Sequence, residues 1–195
     1  MSRGPLQFPA APLTVREQIR VRAEHAESAD KVFLRHDDRS WTYRRFRDEA
    51  SRVAHFVLGR VPPRGDEPPH VAMLLENHFE LLSLYGGCAV AGATLFGVNT
   101  GLRGETLAGV LNQSRAGMLV VEEKLLPELD RVRRELRFVA PENLLTVREF
   151  ADALDREVGD AKQALPFPDA RVTPQTNLMV IYTSGTTGLP KGINN

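Results

Sequence analysis

Four short apolar runs, at residues 71–75, 94–98, 118–121 and 178–181, set the strongest constraint on how this chain can fold. Runs of four or five residues with no polar alternation are too short for helices. They are the pattern of strands buried on both faces. Between the first three runs lie segments with helical spacing: one from Asn77, placed as its cap, through Ala91, and one in which Leu107, Val110 and Leu111 share a face. Strand, helix, strand, helix, strand implies a parallel sheet joined by right-handed crossovers, an α/β architecture.

The flanking segments fit this plan. Residues 1–12 are Pro-rich and expected to be irregular. Thr14-Val-Arg-Glu17 is a capping box that opens a helix to about Ser28. Residues 31–60 read as a hairpin plus helix: Lys31 to His36, a turn at Asp37-Asp38-Arg39, Ser40 to Tyr43, then a helix capped by Thr42. Trp41 and Phe46 are placed as its hydrophobic staple, and Phe46, Ala50, Val53, Ala54 and Val57 form its apolar face. A Pro/Gly linker at 61–69 leads into a βαβαβ unit over 70–122. Pro127 starts a further helix bearing Leu129, Val132 and Leu136. A second capping box, Thr146-Val-Arg-Glu149, has Leu145 and Phe150 as its staple. A polar loop over 160–176 then delivers the chain to its last apolar run. No internal repeat is visible.

Composition narrows the function classes. The 195 residues carry 25 Lys+Arg and 25 Asp+Glu, so no net field draws the chain to nucleic acid or to an anionic membrane. The single cysteine, Cys88, excludes an internal disulfide and, within an apolar run, reads as a buried thiol. The five histidines have no metal-ligand spacing, and no metal site is expected. The N-terminus lacks the apolar core of a signal peptide. Residues 81–102 carry no charge until Arg103 and are long enough to span a bilayer, but five glycines and a β-rich end favour a buried helix followed by a strand.

The chemistry concentrates at the end, in residues 178–192, a strand plus a candidate phosphate-binding loop. After Ile181 the sequence turns to Tyr-Thr-Ser-Gly-Thr-Thr-Gly-Leu-Pro-Lys-Gly192. Gly185 and Gly188 permit tight folding with main-chain N–H groups close to an anion. Thr183, Ser184, Thr186 and Thr187 supply hydroxyls, and Lys191 one positive charge. Such a loop after a buried strand suits a polyphosphate. Two other readings apply to the string: a solvated Ser/Gly/Pro turn, and a Walker A loop. It fails the Walker pattern, because Gly192 stands where Ser or Thr is needed.

Residues 182–192 match throughout the [YF]-[TS]-S-G-[TS]-[TS]-G-x-P-K-[GA] signature of the adenylate-forming, AMP-binding acyl-CoA synthetases and ligases, and the chain resembles that superfamily over most of 30–192. Its "W-T-Y" at 41–43 and the blocks at 75–80, 86–92 and 97–103 resemble the family's opening, and "V-N-T-G-L-R-G" at 98–104 is similar to the fatty-acid, very-long-chain and bile-acid branch. The resemblance implies the front part of the luciferase-like large domain: parallel βαβ units with a flanking hairpin, incomplete without a downstream remainder. It implies ATP, Mg2+ and coenzyme A as co-substrates and a large hydrophobic carboxylate, fatty or steroidal, as substrate. Thr183, Ser184, Gly185, Thr186, Thr187 and Gly188 would meet the β- and γ-phosphates, with Lys191 supporting them. The carboxylate pocket, nucleoside contacts, Mg2+-binding glutamate and catalytic lysine lie downstream in the family. Residues 1–195 alone are therefore expected not to catalyse acyl-CoA formation, and the last strand is expected to show an unpaired edge. A cytoplasmic location follows, with peripheral membrane contact left open. Three classes stay open: part of a ligase, a truncated non-catalytic nucleotide-binding or interaction module, and a divergent phosphoryl-transfer protein. Within the first, an adenylate-forming enzyme for a different carboxylate is the alternative.

Overall fold

A computed structural model of the chain describes residues 14–159, 164–183 and 190–194. The expected irregularity of residues 1–12 falls outside them. Helix α1 (Val15–Glu24) opens on the Thr14 capping box, in which the Thr14 side chain accepts from Glu17 N and the Glu17 carboxylate accepts from Thr14 N. It stops at Glu24, four residues short of the expected end at Ser28. There the chain turns, and the Ser28 hydroxyl donates to Arg22 O at 2.7 Å. Strands β1 (Val32–His36) and β2 (Arg39–Thr42) form a separate antiparallel hairpin, with Asp37 in the left-handed region at φ 51°. Helix α2 (Tyr43–Arg60) is capped by Thr42, and Trp41 stacks toward Phe46 at 6.5 Å.

The main sheet then builds through β3 (His70–Leu74), α3 (Phe79–Ala91), β4 (Thr94–Gly97), α4 (Gly104–Ser114) and β5 (Met118–Val121). It continues through α5 (Leu126–Val132), β6 (Leu144–Thr146), α6 (Val147–Val158), β7 (Met179–Thr183) and β8 (Lys191–Asn194). Strand order is β6-β5-β3-β4-β7-β8, parallel except for the last pair. Side chains alternate between two layers. Val71, Met73, Leu95, Met118 and Val120 face a core made with α2, α3 and α6. Ala72, Leu74, Phe96, Leu119 and Val121 face one made with α4 and α5. Helices on both faces follow from the strand order: a right-handed crossover lands on opposite faces when the chain moves in opposite directions across the sheet. No helix among the described residues is long and apolar enough to cross a membrane. The uncharged stretch after Leu81 divides into α3, Gly92 at φ 68°, and β4.

Helices α2 and α3 pack unusually closely. A Cβ on Gly86 would lie 2.8 Å from Phe46 Cζ and 3.0 Å from Ala50 Cβ, and one on Gly87 would overlap Val53 outright. Beside this seam Cys88 is fully buried, which pushes its thiol pKa up to about 12 and keeps it neutral. Arg52 is buried between α2 and α6, donating to Glu49 at 2.8 Å, Asp155 at 2.5 Å and Gly159 O at 3.0 Å. The segment after 164 is clamped to the same layer. Ser51 donates to Pro166 O, and the Arg16 guanidinium donates to Val90 O and Pro168 O while stacking over Phe167.

Three further details differ from the sequence expectations. The cap of α3 is His78 rather than Asn77, and no side chain bonds there. The three-residue strand β6 runs through Thr146, where only a staple and cap were expected; its pairing with β5 is non-local. The last apolar strand, expected with an unpaired edge, has β4 on one side and β8 on the other. Lys191 therefore begins a strand instead of ending a loop.

Candidate functional site

Every parallel strand of the sheet ends on one rim, and such rims bind ligands in open α/β sheets because adjacent connections leave on opposite faces. Strand β3 hands its chain to α3 on one face, and β4 hands its chain to α4 on the other. Strand β7 lies beside β4, with Leu95↔Met179, Phe96↔Val180 and Gly97↔Ile181 in register. The apolar run thus carries Thr183 to the rim. The sheet places Thr183 opposite Lys191, the last pair of the β7–β8 ladder.

Of the residues expected to hold phosphates, Thr183 and Lys191 are brought together by this pairing. Ser184, Gly185, Thr186, Thr187 and Gly188 lie outside the described residues. The segment that contains them connects two hydrogen-bonded strands, so its ends are only about 5 Å apart across the ladder. At its exit Pro190 is buried and Lys191 is exposed. Gly192 has a packing reason of its own: a Cβ there would lie 2.8 Å from Val180 Cγ1 and 3.4 Å from Tyr182 Cε1. The close approach of β8 to β7 thus leaves little room for a side chain at Gly192. Tyr182 is buried beneath the rim, its ring 6.4 Å from Phe96, and burial pushes its hydroxyl pKa up to about 12. It is a neutral support for the strand and not an acid or base near neutral pH.

The rim continues with residues of the blocks at 75–80 and 97–104, which the sequence marked for their resemblance but not as site candidates, and with Glu122 and Lys124, which it did not mark. Leaving β4 beside Ile181, the chain turns through Asn99, whose Oδ1 accepts from Gly101 N at 2.8 Å, while Arg103 donates to Thr100 O and Leu102 O. At the ends of β3 and β5, Glu122 accepts from Glu76 N at 3.0 Å and lies 2.9 Å from Lys124 Nζ and 3.4 Å from His78 Nε2. Burial opposes ionisation of Glu122, but these donors outweigh it and hold its pKa below the usual carboxylate range. The residues come from separate strands, so no linear motif could have gathered them. The described residues contain no group of three or more His, Cys, Asp or Glu able to hold a metal ion, so the site for Mg2+ is not assigned among them. A concavity of about 340 Å³ lies at the opposite end of the strands, lined by Thr14, Arg16, Gly92, Leu178 and Met179, away from the rim.

Comparison with known proteins places these features in context. The sequence profile of the family described as "AMP-binding enzyme" matches residues 21–194. Fatty acid–[acyl-carrier-protein] ligase ScoC from Streptomyces coeruleorubidus is 29% identical over 171 residues, covering 88% of this chain and 30% of that protein. Long-chain-fatty-acid–CoA ligase FadD13 from Mycobacterium tuberculosis is 30% identical over 152 residues, 78% of this chain and 29% of the relative. The chain thus spans about 30% of the length of these curated relatives. In fold it is similar to the N-terminal domain of FACL13 from Mycobacterium tuberculosis, solved with an inhibitor, with a TM-score of 0.76 at 24% identity over 93% of this chain and 44% of that one.

Proposed function

The chain belongs to the AMP-binding enzyme family, and from that membership we propose that it is the N-terminal portion of an ATP-dependent ligase joining a fatty acid, or a related large carboxylate, to coenzyme A. The reaction runs in two steps. A carboxylate oxygen attacks the α-phosphorus of ATP, the bond to the β-phosphate breaks, and pyrophosphate leaves behind an acyl-adenylate. The coenzyme A thiol then attacks the acyl carbon, its proton is lost to solvent or base, and AMP departs. This chain's share is the first leaving group. Thr183, Ser184, Gly185, Thr186, Thr187 and Gly188 hold the β- and γ-phosphates through N–H and O–H donors, and Lys191 offsets the charge that builds on pyrophosphate. Mg2+ accompanies ATP, and no residue here is assigned to it.

One observation supports this assignment above the rest: Thr183 and Lys191 are register partners at the carboxyl end of β7, with the hydroxyl- and glycine-rich segment between them. The substrate class rests on the names of the relatives and on the likeness of residues 98–104 to the fatty-acid branch. Because one relative is named for an acyl-carrier protein and another for coenzyme A, the thiol acceptor is the less constrained half of the proposal.

The test uses an intact ligase carrying residues 1–195. Pyrophosphate release should require ATP and be faster with a long-chain or steroidal acid than with acetate. Lys191→Ala should slow adenylation by roughly a hundredfold, the scale of losing one positioned charge-stabilising group. Thioester formation from supplied acyl-adenylate should change far less. Equal losses in the two half-reactions would remove Lys191 from the phosphate site.

A further inference from the structure

The chain that leads into β7 crosses the α1/α2/α3 layer as a strap, and it is held there by two anchors. Residues 164–173 belong to no helix, strand or turn, and Pro166, Pro168 and Pro174 bring no N–H. The first anchor is centred on Phe167. Pro166 O accepts from the Ser51 hydroxyl at 2.8 Å and lies 3.0 Å from His55 Nε2, while Pro168 O accepts from Arg16 at 2.9 Å. The guanidinium groups of Arg16 and Arg47 lie 5.2 and 5.8 Å from the centre of the Phe167 ring. Asp169, next along the strap, favours the Arg16 charge against its burial. The second anchor is the root of β7, where Thr94 Oγ1 donates to Asn177 O at 2.9 Å and Leu95 N to Leu178 O at 2.8 Å. Between the anchors the strap passes over the end of α3, where a Cβ on Gly92 would lie 3.2 Å from Arg171 O. With α1 and α3 it forms the concavity of about 340 Å³, and Cys88, which has no exposed surface, lies against that space.

We propose that the strap is a latch: residues 166–176 lift from α1 and α3 as a local unit while the sheet stays folded, with Phe167 as the catch and Cys88 uncovered only when the strap lifts. Lifting breaks no bond of the parallel sheet. The Ser51, His55 and Arg16 contacts are side-chain bonds to strap carbonyls, and water replaces them at small net cost. Opening any of β3 to β6 would instead break a ladder and expose both core layers, so the strap is the segment that opens at the lower free energy. Leu178 and Met179 share the concavity with Cys88, so the latch bears on the root of β7, the strand that carries Thr183 to the rim. This inference does not rest on the ligase reading.

Cys88 is the only cysteine, so thiol labelling reads the latch directly and needs no ATP. The 195-residue chain is reacted with N-ethylmaleimide and with the bulkier fluorescein maleimide across a urea series. Each rate is divided by the rate of the same reagent with the urea-unfolded chain. The rate should be flat at low urea, because lifting the strap exposes little surface, and should climb only where global unfolding sets in. Protection should be the same for both reagents. Phe167→Ala should speed low-urea labelling by roughly tenfold, the scale of losing a cation–π contact and its ring, and Phe167→Tyr should restore the slow rate. Arg16→Gln should act in the same direction as Phe167→Ala. Val132→Ala, in the core on the opposite face of the sheet, should bring global unfolding to lower urea and leave the low-urea rate unchanged. Circular dichroism confirms that each variant is folded before labelling. The latch is overturned by a rate that climbs from the start with the slope of global unfolding, by equal acceleration in Val132→Ala and Phe167→Ala, or by no acceleration in either strap variant. It is equally overturned by protection against fluorescein maleimide alone, since the smaller reagent would then be entering through the concavity with the strap in place. Pyrophosphate release plays no part in this readout, so the two proposals fail separately.

Discussion

At the scale of single residues, the clearest consequence concerns Glu122. It is a buried carboxylate with donors from Glu76 N, Lys124 and His78, and its pKa lies below the 4.5 of an unperturbed glutamate. A carboxylate whose pKa is depressed on folding stabilises the protein above its unfolded pKa. That contribution is lost as the pH falls through the lower, folded value. Glu122→Gln should therefore depress the melting temperature most near neutral pH, and the gap to the wild type should narrow as the pH drops below about 4.5. A gap that is constant with pH would mean the substitution acts through packing alone. Glu17, Asp30 and Glu157 are also held low by their donors, so the variant keeps an acid-sensitive limb of its own. Nothing in the sequence around Glu122 announced this role. The carboxylate matters because β3 brings Glu76 and His78 beside it, a pairing set by the sheet and not by spacing along the chain.

Helices and strands show where the sequence was legible. The starts of α1, α2 and α6 could be placed from Thr14, Thr42 and Thr146 because capping is decided within four residues. The end of α1, the cap of α3 and strand β6 could not, since each depends on what the rest of the molecule places alongside. The same division governs the α2–α3 seam. Read in sequence, Gly86 and Gly87 counted against a membrane span and belonged to a block resembling the family, whereas in the fold they are what lets the two helices meet. Gly87→Ala, nominally favourable for a helix, should destabilise by about 1–3 kcal/mol, because its methyl group would overlap Val53 and lie 3.2 Å from that residue's carbonyl carbon. Pairing it with Val53→Ala should restore part of the loss, as read by urea denaturation. If Gly87→Ala alone is neutral, the helices are not held as close as described here.

On the scale of the whole molecule, the parallel architecture was readable from apolar runs, while the strand order and the final antiparallel pair were not. Lys191-Gly-Ile-Asn has too little pattern to signal a strand; it pairs because β7 is there to receive it. This leaves Ile181 and Ile193 side by side, 45% and 55% exposed, on the face away from Val180 and Tyr182. An apolar pair next to an exposed edge strand favours self-association. The purified 195-residue chain should sediment increasingly as dimers or larger species as its concentration rises, and Ile193→Lys should return it toward monomer; association unchanged by the lysine would point to a different surface. The strand order also has a temporal side. Strand β7 docks on β4 only after two more strands and three α-helices have been made, so it closes one of the longest loops in the sheet. Contacts of that range form late, because the entropy of closing the loop comes before any stabilisation. During synthesis the edge of β4 therefore stands open while everything between is being built. Strand β7 is the last of the parallel set to arrive, and until it does the open edge of β4 is the stretch most exposed to a wrong partner while the chain folds.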